Sequence, residues 1–152
     1  MISLLRTSSE NTDFQLLVKE LDKELAIRDG DDHSFYAQFN KIVALKNVVV
    51  AYENNIAIGC GAIKPFDTGT MEIKRMYGPL NKRGQGIASL LLNALETWCL
   101  ELNCKRCVLE TGKNQPEAIR LYQKNHYQSI PNFGQYKHIA NSICFEKLLK
   151  ED

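Results

Sequence analysis

Between Met76 and Glu96 the chain reads MYGPLNKRGQGIASLLLNALE, with Gly84 and Gly86 one residue apart behind Lys82 and Arg83 and ahead of a long apolar run. Backbone N–H groups at a helix start lack intrahelical partners, and the helix dipole favours negative charge there by about 0.3–1 kcal/mol. Glycine at 84 and 86 removes Cβ atoms that would block a close approach, and Lys82 and Arg83 add mobile positive charge. The chemistry this suits is the holding of a phosphate or pyrophosphate. A plain glycine turn, letting a strand reverse into a helix, uses the same residues. A Walker loop needs Lys-Ser or Lys-Thr after its last glycine, where Ile87 and Ala88 stand. A dinucleotide fingerprint fits poorly: Ser89 takes the place of its third glycine, and six residues separate the strand from Gly84, although Glu110 ends the next strand at a suggestive distance.

The cradle needs a strand before it and a helix after it, and both are legible. Ile87, Leu91, Leu95, Trp98 and Leu102 recur at helical spacing, with Ala88, Leu92 and Cys99 beside them; Ser89, Asn93, Glu96 and Glu101 fall mostly opposite. MEIKRMY, from Met71 to Tyr77, reads as a strand whose alternation puts Glu72, Lys74 and Met76 on one face. Upstream, ISLLR reads as a strand, and Phe14, Leu17, Val18, Leu21 and Leu25 mark a helix with a Thr12/Gln15 capping box. Two β-rich runs flank Asn54-Asn55, residues suited to a tight hairpin, and Pro65 is expected to end the second. Downstream come a strand at CVLET, a helix at NQPEAIRLYQKN and a last strand at SICFEKLL. Residues 28–42 read as a polar loop leading into a short helix. A strand, a crossover helix and a strand between Met71 and Thr111 imply a parallel pair inside a mainly antiparallel sheet.

With 152 residues, 44% of them hydrophobic and 24% charged, the chain is expected to form one domain spanning 1–152 without a linker. A formal net charge of +1 offers no field for nucleic acid. No apolar run is long enough for a signal peptide or a membrane span, so a cytoplasmic protein with no membrane partner is expected. The five cysteines fall in core-like segments and suit free thiols in a reducing compartment. Cys104 and Cys107 form a C-x-x-C, but His33, His126 and His138 lie far from it in sequence, and the pair follows a helix where a thioredoxin-type pair would open one; no metal is expected.

At Arg83-Gly84-Gln85-Gly86-Ile87-Ala88 the sequence resembles the GNAT superfamily of acetyl-CoA-dependent N-acetyltransferases, whose signature runs R/Q-x-x-G-x-G/A. MEIKRMY, LETG and AIRLY resemble the same family in the same order, so the specific likeness covers about Met71 to Tyr127. It implies an α/β fold with a splayed central parallel strand pair flanked by helices. It further implies acetyl-CoA as co-substrate, with Met76 and Tyr77 bonding the pantetheine arm through their backbone and Arg83 to Ala88 holding the pyrophosphate. Glu72 matches the glutamate that some members use as general base, and Tyr122 matches the tyrosine commonly set against the coenzyme A sulfur. Asn114 is expected to cap the following helix or touch the cofactor, and His33, Phe35 and Tyr36 lie where the family commonly builds its acceptor site. One departure is His126, which stands where the family usually has glycine.

The activity this resemblance implies is direct acetyl transfer, in a ternary complex, to the primary amine of a small molecule. Lys74, about 7 Å along the strand from Glu72, suits a carboxylate on that amine, so an amino-acid-like acceptor is expected. Pairing of Lys74 with Glu72 is the plain structural use of both. Protein acetylation, and a non-catalytic acyl-CoA-binding regulatory domain, are the alternative readings; assembly as a homodimer is compatible with either.

Overall fold

Val49 and Ala51 alternate with Val48 and Val50, and all four are buried, so the strand that carries them must be covered on both faces. The computed structural model describes residues 1–30 and 44–150 and shows how. The strands are β1 (Ile2–Thr7), β2 (Asn47–Glu53), β3 (Ile56–Asp67), β4 (Thr70–Tyr77), β5 (Arg106–Gly112), β6 (Gln128–Ile130) and β7 (Ser142–Leu148). Among the described residues the α-helices are α1 (Thr12–Asp29), α2 (Ile87–Glu101) and α3 (Pro116–Lys124). One sheet runs in the order β1-β2-β3-β4-β5-β7-β6. Its neighbours are antiparallel except for the central pair β4–β5, which is parallel. This is the mixed sheet expected from the sequence, with β6 as an added edge strand too short to be signalled there.

Each face has its own core. Val49, Ala51, Ile73, Leu91, Leu95 and Leu109 pack on the α2 side, and Phe14, Leu17, Val18, Val48 and Val50 pack on the α1 side. Helix α2 approaches β3 closely because two residues there lack side chains. A Cβ at Gly59 would stand 3.1 Å from Leu91 Cδ1, and one at Gly61 would stand 2.9 Å from Leu95 Cδ1. Asn54 and Asn55 take left-handed φ of 52° and 66° at the β2–β3 turn, as their type allows.

Three local expectations need correction. Asn11, one residue before Thr12, caps α1 by accepting from Phe14 N at 2.9 Å, while Gln15 Nε2 donates to Ser9 O. Pro65 does not end β3; it pairs with Met71, and the strand continues to Asp67 past a register shift that absorbs the missing N–H. Glu96 is buried instead of facing away, because it accepts from Tyr127 Oη at 2.9 Å and Lys147 Nζ at 2.8 Å.

The end of α3 is closed by a Schellman motif. Tyr127 N donates to Tyr122 O at 2.9 Å and His126 N to Gln123 O at 3.1 Å, with His126 left-handed at φ 72°. Histidine thus takes the backbone conformation that glycine would take without strain. The side-chain contact usual in this motif is the edge-on packing of Tyr122 and Tyr127, with ring centroids 5.8 Å apart.

Candidate active site

Strands β4 and β5 pair only at Thr70–Arg106, Met71–Cys107 and Glu72–Val108. Beyond Glu72 they separate, leaving facing strand edges to which an extended ligand could bond as an added strand. A bulge in β4 lies where they part. Cys60 pairs with Tyr77 and Ala62 with Lys74, so β4 carries one residue more than β3 over this stretch, and Arg75 takes a left-handed φ of 58°.

The bulge changes which side chains share a face. Met71 and Ile73 belong to the α2-side core, and Met76 packs against it, while Tyr77 packs on the α1 side. Simple alternation puts Met76 beside Glu72 and Lys74; the extra residue moves it to the opposite face. Glu72 and Lys74 do lie together, Lys74 Nζ standing 3.8 Å from Glu72 Oε2 with both side chains largely buried. Burial, foremost, holds the Lys74 ammonium below its usual pKa, and Glu72 and Glu110 oppose that shift.

A cavity of about 110 Å³ occupies the gap and takes its lining from both sides of the sheet, including Glu72, Lys74, Arg75, Met76, Glu110 and Tyr122. Tyr122 is 7% exposed, and burial, reinforced by Glu110, holds its phenol well above the ordinary value of 10. The hydroxyl therefore keeps its proton at neutral pH. The sequence does not mark Glu110 or Arg75 as site residues. Glu110 was visible as a carboxylate closing a strand; a bulge that turns Arg75 toward the site has no signal in MEIKRMY.

Helix α2 begins beside the gap. Its N-cap is Gly86 at φ 82°, preceded by Gly84 at φ 80°, and a Cβ placed on either would meet nothing within 4 Å. Protein packing therefore does not demand small residues here; the left-handed backbone does, and it leaves an open cradle at the helix N-terminus. Leu90 N is bonded to Gly86 O, while the N–H groups of Ile87, Ala88 and Ser89 precede the first full helical bond and are left for a ligand. Ile87 itself is buried, so it offers only its backbone, and Gln85 is exposed.

Both basic side chains are ion-paired. Lys82 Nζ lies 3.0 Å from Glu53 Oε1. Arg83 donates from Nε to Gly78 O at 2.8 Å and from Nη2 to Glu24 Oε2 at 2.7 Å. Glu24 also meets Arg28, which pairs with Glu117, so a chain of charges ties α1 to the cradle and to the start of α3. Asn114 does not cap α3: Gln115 is the N-cap residue, and Asn114 Nδ2 donates to Arg28 O at 3.3 Å. His33, Phe35 and Tyr36 lie outside the described residues.

The cradle and the unpaired strand edges fit an acyl-CoA: backbone donors for the diphosphate, strand edges for the pantetheine arm, and a partly buried cavity at its reactive end. Comparison with known proteins agrees. A family model described as the acetyltransferase (GNAT) family matches residues 14–127. An IAA acetyltransferase of Azospirillum brasilense is 32% identical over 142 residues, covering 88% of each chain. A Klebsiella pneumoniae protein described as a candidate acyl-CoA N-acyltransferase has a structure superposing with a TM-score of 0.82, at 30% identity over 99% of each chain. A GNAT acetyltransferase of Elizabethkingia anophelis with acetyl-CoA bound shares the fold at a TM-score of 0.70 and 20% identity, over 97% of this chain and 98% of its own. Fold and relatives together define an acyltransferase. The chain belongs to the GNAT family of acetyltransferases.

Among the described residues no helix is long and apolar enough to cross a membrane. The cysteines are all free thiols, and no group of metal-ligating side chains occurs among the described residues.

Proposed function

We propose that this chain, as one domain spanning 1–152, moves an acetyl group from acetyl-CoA to the primary amine of a small molecule by direct transfer in a ternary complex. The observation that carries this reading is the placing of Glu72 and Tyr122 in one cavity at the split of β4 and β5, beside a helix N-terminus opened by Gly86. When bound, acetyl-CoA would supply the activated acyl group. An alkyl ammonium has a pKa near about 10 and must lose a proton before it can attack at neutral pH. Glu72 is the base we assign, because it is the carboxylate that β4 itself presents to the cavity.

Tyr122 donates a hydrogen bond to the sulfur as it leaves. Full transfer of the phenol proton is uphill: a cysteine-like thiol near 8.5 is the stronger acid by about 1.5 units even against an ordinary tyrosine, or about 2 kcal/mol. Burial raises Tyr122 further. A donor that stabilises the thiolate without surrendering its proton matches this environment, and the proton released by the amine can then neutralise the product. We place the protein in the cytosol on the strength of its free thiols.

The test is release of free thiol from acetyl-CoA against a panel of amino acids, polyamines and lysine peptides. Turnover with a small amine supports the reading. Turnover with the peptides alone favours protein acetylation, and tight acetyl-CoA binding without turnover on any amine favours the regulatory-domain alternative.

A further inference from the structure

The β4 bulge holds a buried cation that the acetyl-transfer scheme above does not use. Arg75 sits at the bulge with φ 58°, and its side chain is 6% exposed. Nη1 is 2.7 Å from Asp22 Oδ1 on α1, while Nη2 is buried and has no hydrogen-bond partner among the described residues. A guanidinium offers donors in a planar fork that matches a carboxylate, and leaving a buried donor unmade is costly. The residue also lines the cavity that holds Glu72 and Tyr122. A left-handed arginine with an unsatisfied nitrogen is the kind of local strain and unmet polarity that a ligand relieves.

Lys74 is the other cation at the cavity, but Glu72 already stands 3.8 Å from it. Asp22 answers only one nitrogen of Arg75, and its own side chain is 45% exposed, so the pair leaves capacity on the arginine side.

We propose that Arg75 is the specificity-determining anchor for a carboxylate carried by the acceptor amine, so that the acceptor class is amino acids and related amino carboxylates. The proposal rests on the acetyl-transfer reading. It moves the anion-binding role expected of Lys74 one residue along the strand, to the side chain that the bulge turns toward the cavity. Arg75 Nη2 bonds a carboxylate oxygen while the amine is left facing Glu72, and amines without the carboxylate leave the arginine unsatisfied.

The experiment compares phenylalanine with phenethylamine, and lysine with cadaverine, in the parent enzyme, Arg75→Gln, Arg75→Lys and Asp22→Asn. The expected result is a kcat/KM at least 10-fold higher for the amino acid of each pair in the parent. Arg75→Gln should remove that preference through KM for the acid, leaving the decarboxylated member within about 3-fold and KM for acetyl-CoA unchanged. Arg75→Lys should restore part of it, since charge returns without the fork. Asp22→Asn, which removes the structural ion pair but keeps the arginine, should retain the preference even if Arg75→Gln folds poorly.

Equal rates within each pair in the parent overturn the proposal, as does a preference lost in Asp22→Asn or a changed KM for acetyl-CoA in Arg75→Gln. Calorimetric titration of the same amines in the presence of coenzyme A separates this proposal from the reading beneath it. Arg75-dependent binding of the amino acids without turnover keeps the anion site and removes the acetyl transfer; binding of neither member removes both.

Discussion

Gly86→Ala isolates what the glycine cradle does. The residue has φ 82°, and an added Cβ would meet nothing within 4 Å, so the folded-state cost is backbone strain alone. For a single left-handed L-residue that is about 1–2 kcal/mol, which for a domain of this size lowers Tm by roughly 2–8 °C. Gly69, in the β3–β4 turn, is a matched control: its φ is 80° and its surroundings are equally open. Gly69→Ala should therefore lose a similar amount of stability. Only Gly86→Ala should also lose acetyl-CoA affinity, because its Cβ enters the space above the free N–H groups of α2. A loss of at least 10-fold, or about 1.4 kcal/mol, is expected. Calorimetric titration with acetyl-CoA and thermal melts of both variants decide it. Equal affinities in the two variants would place the phosphates away from the α2 N-terminus.

Other expectations follow from single contacts. Tyr122→Phe should lower turnover roughly 10-fold or more while acetyl-CoA affinity in titrations stays similar, and Glu72→Gln should show its largest deficit below the amine's pKa in a pH–rate profile; parental rates in both variants would remove these roles. His126→Gly should stabilise the fold by about 1 kcal/mol in denaturant unfolding, since the left-handed backbone at the end of α3 would no longer carry a side chain. Burial raises the phenols of Tyr122, Tyr127 and Tyr136, so above pH 10 the folded chain binds more protons than the unfolded one. Their contribution is intact below about pH 10 and is lost above it, by up to about 1.4 kcal/mol per pH unit for each phenol. Cys60, pushed up to about 12 from 9.0, starts the loss nearer pH 9. A melting temperature unchanged between pH 9 and pH 11 would contradict this.

Much of the architecture was legible because its signals are local. The Asn-Asn hairpin, the apolar stripe of α2 and the strand–helix–strand run from Met71 to Thr111 each lie within one contiguous segment, and so does the glycine pair. What escaped was set by partners distant in sequence. Glu96 is drawn into the core by Tyr127 and Lys147. Arg83 is held by Glu24 from the far end of α1, and Asn114 is turned from its expected cap toward Arg28. The β4 bulge is a mismatch between two strands, so alternation along β4 alone does not reveal it, puts Met76 on the wrong face and leaves Arg75 unmarked. Glu72 and Lys74 precede the bulge, so alternation puts them on the face they share.

The most direct measurement is a single-turnover reaction with acetyl-CoA labelled in its acetyl group and an excess of the best small amine, analysed by mass spectrometry of both protein and products. One labelled N-acetyl amine is expected for each free thiol released, with no label on the protein at any time. Label on a protein side chain would contradict direct transfer, and thiol release without acetylated amine would contradict the function itself.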